Sequence, residues 1–315
     1  MGNRIGIDVG GTNVKIALVN EKGSIIYSNS IPTRAEMGYE YTINNMKEAI
    51  GDLLKETKSS AKDIEGMGFG FPGQIDCQKG IVRLAPNIPG WVDVPIAAIM
   101  EKEFGIPTRV DNDVRCAALG ELNFGAGIGC ENLICITVGT GIGSGLIING
   151  KLVRGASNAA GEIGHIKLDM TGGPLCGCGD RGCLEAFASG PSIVAMAEEY
   201  IKGGKSTKYR ELANPEITPY IVSEAAKQGD PVAQRIFAIV GEYIGIGLAS
   251  VVNLLNPEKI IIGGGVAAAG DILMTPIKET LVKRAMKIAG STVEVVPAEL
   301  GNTAGVIGAS LLIKS

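Results

Sequence analysis

The sequence predicts an α/β fold in two domains, and three observations carry that expectation. Strand-like and helix-like segments alternate along the chain, the pattern of α/β architecture. At 315 residues the chain exceeds the usual size of one domain. A strand, a glycine turn carrying a threonine and a returning strand occur twice, in the stretches 4–20 and 132–148. We set the first domain at residues 1–113 and the second at 114–303, with the C-terminal helix, about 304–315, packing back on the first.

Composition narrows the class further. The 46 glycines are about twice the usual share, yet they follow no collagen-like period, so they punctuate tight turns and backbone-lined sites. Lys+Arg total 29 against 33 Asp+Glu, a net charge of −4 with no basic block and no helix-turn-helix, which argues against a nucleic-acid partner. No segment reads as reaching the roughly 18–20 apolar residues of a membrane span, and Met1-Gly2-Asn3-Arg4 runs straight into a strand without a signal-peptide pattern. A cytoplasmic protein with no membrane partner is expected. Seven cysteines, an odd number, fit a secreted disulfide framework poorly.

Arg4-Ile5-Gly6-Ile7-Asp8-Val9 reads as the first strand, Gly10-Gly11-Thr12 as a tight turn, and 13–20 as the returning strand. Glycines let phosphate oxygens approach backbone N–H groups, Thr12 adds a hydroxyl, and Asp8 is placed to hold Mg²⁺ through water; a plain hairpin turn is the alternative. A third strand at 24–30 and an amphipathic helix over 39–57 follow. Met67-Gly68-Phe69-Gly70-Phe71-Pro72-Gly73 is a strand ending in a glycine-proline corner, and 84–91 is a rigid loop holding the single Trp. Within it Asn87 offers an amide to a polyhydroxyl ligand, or is simply a solvated turn residue. Residues 94–104 are expected to be helical, and 108–110 a strand.

That strand feeds Asp111-Asn112-Asp113, an acidic turn opening onto the helix 114–124. Asp and Asn are favoured caps, so Asp113 is placed at or near a helix N-terminus, where the dipole favours its ionised form. An ionised carboxylate at a fixed position suits a kinase of small hydroxyl compounds, because it can orient the attacking hydroxyl and accept its proton. A cap and nothing more is the alternative reading.

The second half begins with a strand at 132–138 that ends in Gly139-Thr140-Gly141-Ile142-Gly143. Asn149-Gly150 between apolar runs is a hairpin signal. Two glycine-threonine turns suggest a clamp for a polyphosphate. A P-loop is absent: Gly204-Lys205-Ser206 has Glu199 where the first glycine belongs, so this is a surface loop. The spacing of Gly139, Gly141 and Gly143 also fails the dinucleotide pattern.

Glu162-Ile163-Gly164-His165 and Cys176-Gly177-Cys178-Gly179-Asp180-Arg181-Gly182-Cys183 contain one His and three Cys, the ligand set of a structural zinc site. Four protein ligands close the coordination sphere, so Zn²⁺ here would serve structure and hold Glu162 and Glu185 in place. Glu185 opens a helix directly beyond the last ligand. Mostly helical chain follows, at 191–202, 208–212, 217–228 and 230–253. A buried strand at 259–262 then empties into Gly263-Gly264-Gly265, which brings backbone close either to a nucleoside or to tight helix–sheet packing. A helix at 271–288, a strand at 292–297 and a small-residue helix from 304 complete the chain.

With Asp8-Val9-Gly10-Gly11-Thr12, Asn112-Asp113, Glu162-x-x-His165 and Cys176-x-Cys178-Gly179-x-x-Gly182-Cys183-x-Glu185 assembled, the chain resembles sugar kinases of the ROK family, and most of all the family's bacterial ATP-dependent glucokinases. The likeness spans essentially the whole sequence, and the cysteine motif is its most specific part. It implies a ribonuclease-H-like fold of the actin/hexokinase ATPase type, with two domains closing over a cleft. It implies ATP-dependent phosphorylation of glucose at the 6-hydroxyl, or of another hexose or N-acetylhexosamine, with Asp113 as catalytic base. Gly73, Asn87, Asn112, Glu162, His165 and Glu185 would bind the sugar. Gly10, Gly11, Thr12, Lys15, Gly139, Thr140 and Gly141 would hold the ATP phosphates, Gly263 and Gly264 would approach the adenosine, and Asp8 would serve Mg²⁺. His165, Cys176, Cys178 and Cys183 would bind zinc, and a homodimer or homotetramer is expected. The family's sugar-responsive repressors carry a DNA-binding region ahead of this domain; with the first strand starting at Arg4, a regulator is not the expectation. Val114-Arg115 departs from the Ala-Asn common in the family, which puts the fine positioning of the base in question.

Overall fold

The computed structural model describes residues 2–205, 207–213 and 216–314; Ser206 of the Gly204-Lys205-Ser206 loop lies outside them. Contacts divide the chain into two compact units. The first comprises Met1–Glu131, Gly145–Gly161 and Glu299–Ser315, and the second Asn132–Ser144 and Glu162–Ala298.

The first sheet has the strand order Ile25–Pro32, Asn13–Val19, Asn3–Val9, Ile64–Phe71, Thr108–Asn112. Asn3–Val9 pairs antiparallel with Asn13–Val19, so the glycine turn sits at a hairpin tip, and parallel with Ile64–Phe71. Ile5, Ile7, Val9, Phe69 and Phe71 are buried; they join Met46, Ile50 and Leu53 of the helix Tyr39–Glu56 in one core. Trp91 and Phe71 meet in that core with ring centroids 4.7 Å apart, which fixes the loop carrying Asn87.

The opposite face takes the final helix, Ala304–Leu311, and glycines make its approach possible. A Cβ at Gly6 would lie 1.8 Å from the Val306 carbonyl oxygen, and one at Gly68 would lie 1.7 Å from that of Ala309. The same helix packs against Asp113–Phe124, where a Cβ on Gly308 would fall 1.6 Å from the Cys116 carbonyl oxygen. This packing explains why the first unit runs past the boundary expected at residue 113: the helix that follows the acidic turn is bound to the C-terminal helix.

The second sheet repeats the first in strand order: Lys151–Leu152, Ile142–Ile148, Leu133–Val138, Lys259–Gly263, Glu294–Pro297. Its central strands, Leu133–Val138 and Lys259–Gly263, run parallel. Asn149 and Gly150 take positive φ of 52° and 70°, as the hairpin signal required.

Several elements differ from expectation. A three-stranded sheet, Gln74–Asp76, Ile81–Leu84 and Val92–Val94, occupies a stretch with no strand period; its strands are too short to show one. The helix expected over 271–288 ends at Arg284, where Ala285 turns extended, and a separate helix spans Lys287–Thr292. Contrary to the reading that no segment is apolar enough, the helix Pro231–Leu255 is by length and composition long and apolar enough to cross a membrane. Half of its most apolar stretch is buried within the protein, where Ile236, Phe237, Val240 and Ile244 form core.

Candidate functional site

The first glycine turn is held by its neighbours. Gly10 donates its N–H to the Asn13 carbonyl at 2.9 Å, and Thr33, which the sequence did not single out, donates its hydroxyl to the Gly10 carbonyl at 2.6 Å and its N–H to that of Thr12 at 2.8 Å. Gly11 and Thr12 are left exposed. Gly11 faces the loop of Asn87, whose carbonyl oxygen would lie 3.4 Å from a Cβ there. Beneath the turn, burial pushes the Asp8 carboxyl above the usual range, against the opposing charge of Lys15, its cross-strand partner. Lys15 also donates to the Asn302 carbonyl at 3.0 Å, and Gly305 gives Asp8 its room, since a Cβ there would lie 2.8 Å from the Asp8 Cγ. A cation bound there would favour the charged carboxylate that burial disfavours, so the position fits a Mg²⁺ role.

The acidic turn divides its three residues among three tasks. Asn112 is the N-cap: its side-chain oxygen accepts the Val114 N–H at 3.0 Å and the Arg115 N–H at 3.3 Å. Its amide also donates to the Gly73 carbonyl at 3.4 Å, which joins two of the predicted sugar-binding residues. Asp113 is the first helical residue, partly exposed, and its Oδ1 accepts the Val114 N–H at 2.9 Å. Asp111 is wholly buried and pairs with Arg115 and Arg154, a pairing the sequence did not suggest.

In the second unit, the turn Gly139-Thr140-Gly141 closes through the Gly139 N–H on the Gly141 carbonyl at 2.9 Å. The Gly139 carbonyl in turn accepts the Gly190 N–H at 2.7 Å. Beside it lies a cavity of about 800 Å³ lined by Gly139, Thr140, Gly190, Pro191, Val194, Glu198, Tyr220, Gly265 and Val266, among others. Its apolar walls and the adjoining glycine turn suit a flat base next to phosphates. Gly263 and Gly264 are not in this lining. Gly264, at φ 89°, is required by packing, since a Cβ there would lie 2.4 Å from the Val138 carbonyl oxygen; the next two residues reach the cavity instead.

The cysteine motif does converge. The ligating atoms of His165, Cys176, Cys178 and Cys183 all lie within 4.8 Å of one another. Cys178 Sγ and Cys183 Sγ are 3.8 Å apart, and Cys176 Sγ is 3.7 Å from His165 Nδ1. A tetrahedron with metal–sulfur bonds of about 2.3 Å has sulfur–sulfur edges of about 3.8 Å, so the donor set has the size of a tetrahedral metal site. Burial pushes the Cys176 thiol up to about 12, whereas the Asp180 backbone N–H lowers that of Cys178. Lys167 Nζ, 3.1 Å from Cys183 Sγ and 2.6 Å from Asp180, supplies positive charge to the cluster; sequence reading did not single it out. His165 Nε2 faces Glu162 at 4.0 Å, and Glu185 follows the last cysteine on the helix Leu184–Ala188.

Comparison with known proteins agrees in extent as well as in kind. The ROK family model matches residues 4–315. The glucokinase of Halalkalibacterium halodurans is 40% identical over 315 residues, spanning 98% of this chain and 94% of that protein. A xylose repressor of Caldicellulosiruptor bescii is 34% identical over 316 residues, 100% of this chain and 79% of the repressor. Among solved structures, a ROK family glucokinase from Streptomyces griseus, in complex with glucose and AMPPNP, has a TM-score of 0.84 at 35% identity over 99% of each chain. The two-domain α/β fold of actin/hexokinase type follows from that likeness. A match that begins in the first strand and continues through the final helix admits one conclusion: the chain belongs to the ROK family.

Proposed function

We propose that this chain is an ATP-dependent glucokinase, transferring the γ-phosphoryl group of MgATP to the 6-hydroxyl of glucose. The observation that carries the reading is Asp113, fixed as the first helical residue behind an Asn112 cap in a chain that aligns end to end with glucokinases. In this reading Asp113 accepts the proton of the attacking hydroxyl. Gly73, Asn87, Asn112, Glu162, His165 and Glu185 are the candidates to hydrogen-bond the other hydroxyls. Gly10, Gly11, Thr12 and Lys15, with Gly139, Thr140 and Gly141, hold the phosphates, and the cavity beside Gly265 takes the adenine. Asp8 would hold Mg²⁺ through water, and the ion would supply charge neutralisation to the phosphates. His165, Cys176, Cys178 and Cys183 would hold zinc as a structural ion. A homodimer or homotetramer in the cytoplasm completes the reading.

The likeness to xylose repressors supports one competitor, a sugar-responsive regulator without turnover. ADP release with MgATP across glucose, mannose, fructose, N-acetylglucosamine and N-acetylmannosamine separates them. Turnover led by glucose is expected. Another leading sugar would change the substrate and keep the mechanism, and no turnover in zinc-replete protein would sink the kinase reading.

A further inference from the structure

Asp111 has no solvent exposure, and both its carboxylate oxygens are engaged. Oδ2 accepts Arg154 Nε–H at 2.7 Å. Oδ1 accepts Arg115 Nη1–H at 3.2 Å, the Asn112 backbone N–H at 2.8 Å and the Cys77 thiol at 3.1 Å. Arg115, itself 3% exposed, places its other terminal nitrogen, Nη2, on the carbonyls of Asn158 at 2.8 Å and Ala160 at 2.9 Å. One anion and two cations thus tie the acidic turn to Cys77 and to the stretch 154–160.

Burying two charges and half-burying a third is expensive, and well-packed apolar residues would hold a fold as well or better. The arrangement is better explained by what it fixes. Asp111 grips the N–H of Asn112, and Asn112 grips the N–H groups of Val114 and Arg115, so the backbone on both sides of Asp113 is pinned. Arg115 bonds the Asp111 carboxylate and two carbonyls through separate nitrogens of one planar group; a lysine ammonium has neither the span nor the fork.

We propose that Asp111, Arg115 and Arg154 are positioning residues that hold Asn112-Asp113 in register for phosphoryl transfer. This rests on the reading of Asp113 as the base. A misplacement of about 1 Å at a reacting group can cost on the order of 100-fold in rate, so loosening the clamp should reduce turnover far more than it reduces binding.

The test compares Arg115→Lys and Arg154→Gln in the full-length, zinc-replete protein, each alone and combined with Asp113→Asn. Melting temperature, kcat, and KM for glucose and MgATP are measured. Each single variant should lower kcat by about 10- to 100-fold while both KM values stay within about threefold. Arg154→Lys, which keeps the charge, should recover part of the loss. In the D113N background neither change should lower the residual rate further, because no base remains to be placed. Wild-type kcat in a folded Arg154→Gln protein would overturn the proposal. So would equal losses with and without Asp113, the mark of a merely structural role. Should Arg115→Lys fail to fold, Arg154, whose side chain is 28% exposed, decides alone. Near-normal turnover of Asp113→Asn by itself would instead remove Asp113 from the mechanism, an outcome distinct from failure of the clamp.

Discussion

Glu185 Oε2 accepts the backbone N–H of Ile142 at 2.8 Å, while its Oε1 lies 3.7 Å from Cys176 Sγ. One carboxylate therefore connects the cysteine cluster to the second glycine turn, and Gly141 leaves it room: a Cβ there would lie 2.4 Å from Oε2. Within the second unit, the metal-type cluster and the turn proposed to hold phosphate share a structural member.

Glu185→Ala should leave the buried Ile142 N–H without an acceptor and destabilise the protein by about 1–3 kcal/mol. Urea denaturation measures the loss, and KM for MgATP should rise alongside it. Unchanged stability and KM would mean that the bond does not support the turn.

Asp113→Asn should reduce kcat by about 10²–10⁴-fold, the usual contribution of a positioned base, with little change in melting temperature. A coupled ADP assay and isothermal titration with glucose test it. Retained sugar binding with lost turnover is expected, because the substitution keeps the shape of the side chain.

Chelation should release one metal ion per chain and lower the melting temperature. Free thiols as close as Cys178 and Cys183 gain little without a cation, whereas four ligands closing a tetrahedron contribute directly to folding. A metal-free protein that melts unchanged would contradict a structural role.

Two glycine-to-alanine changes should act in opposite directions. Gly68→Ala drives a Cβ into the Ala309 carbonyl and should cost about 1–3 kcal/mol or more. Gly51→Ala, inside the helix Tyr39–Glu56 with no atom within 4 Å of the added carbon, should stabilise by about 0.5–1 kcal/mol. Denaturation midpoints of the two proteins give the signs.

Burial, reinforced by the charge of Asp111, pushes the Cys77 thiol up to about 12. Both effects disfavour the thiolate, so Cys77 should remain a thiol at pH 8 and resist iodoacetamide in the folded protein. Labelling should appear only on unfolding or as the pH approaches that value. Mass spectrometry of rapidly labelled Cys77 at pH 8 would contradict this.

Much of the architecture was legible because its signals are local. The alternation in Asn3–Val9 and Asn13–Val19, the cap at Asn112 and the cysteine spacing each depend on residues a few positions apart. The short strands Gln74–Asp76 and Val92–Val94 carried no such period, and the end of a helix at Arg284 carried no proline or glycine to mark it. In Gly263-Gly264-Gly265 the sequence left nucleoside contact and packing open; the structure gives Gly264 to packing against Val138 and Gly265 to the cavity.

By itself the sequence determined the two glycine turns, the one-His three-Cys ligand set and the acidic turn at the head of a helix. Capping and the family resemblance singled out Asp113, but nothing local showed the part played by Asp111, the same residue type two positions before it. Only the tertiary structure decided that, by bringing Arg154, 43 residues along the chain, onto the Asp111 carboxylate while leaving Asp113 partly exposed. Periodicity and capping are set by neighbours in sequence, whereas burial and charge pairing are set by whatever the fold brings alongside.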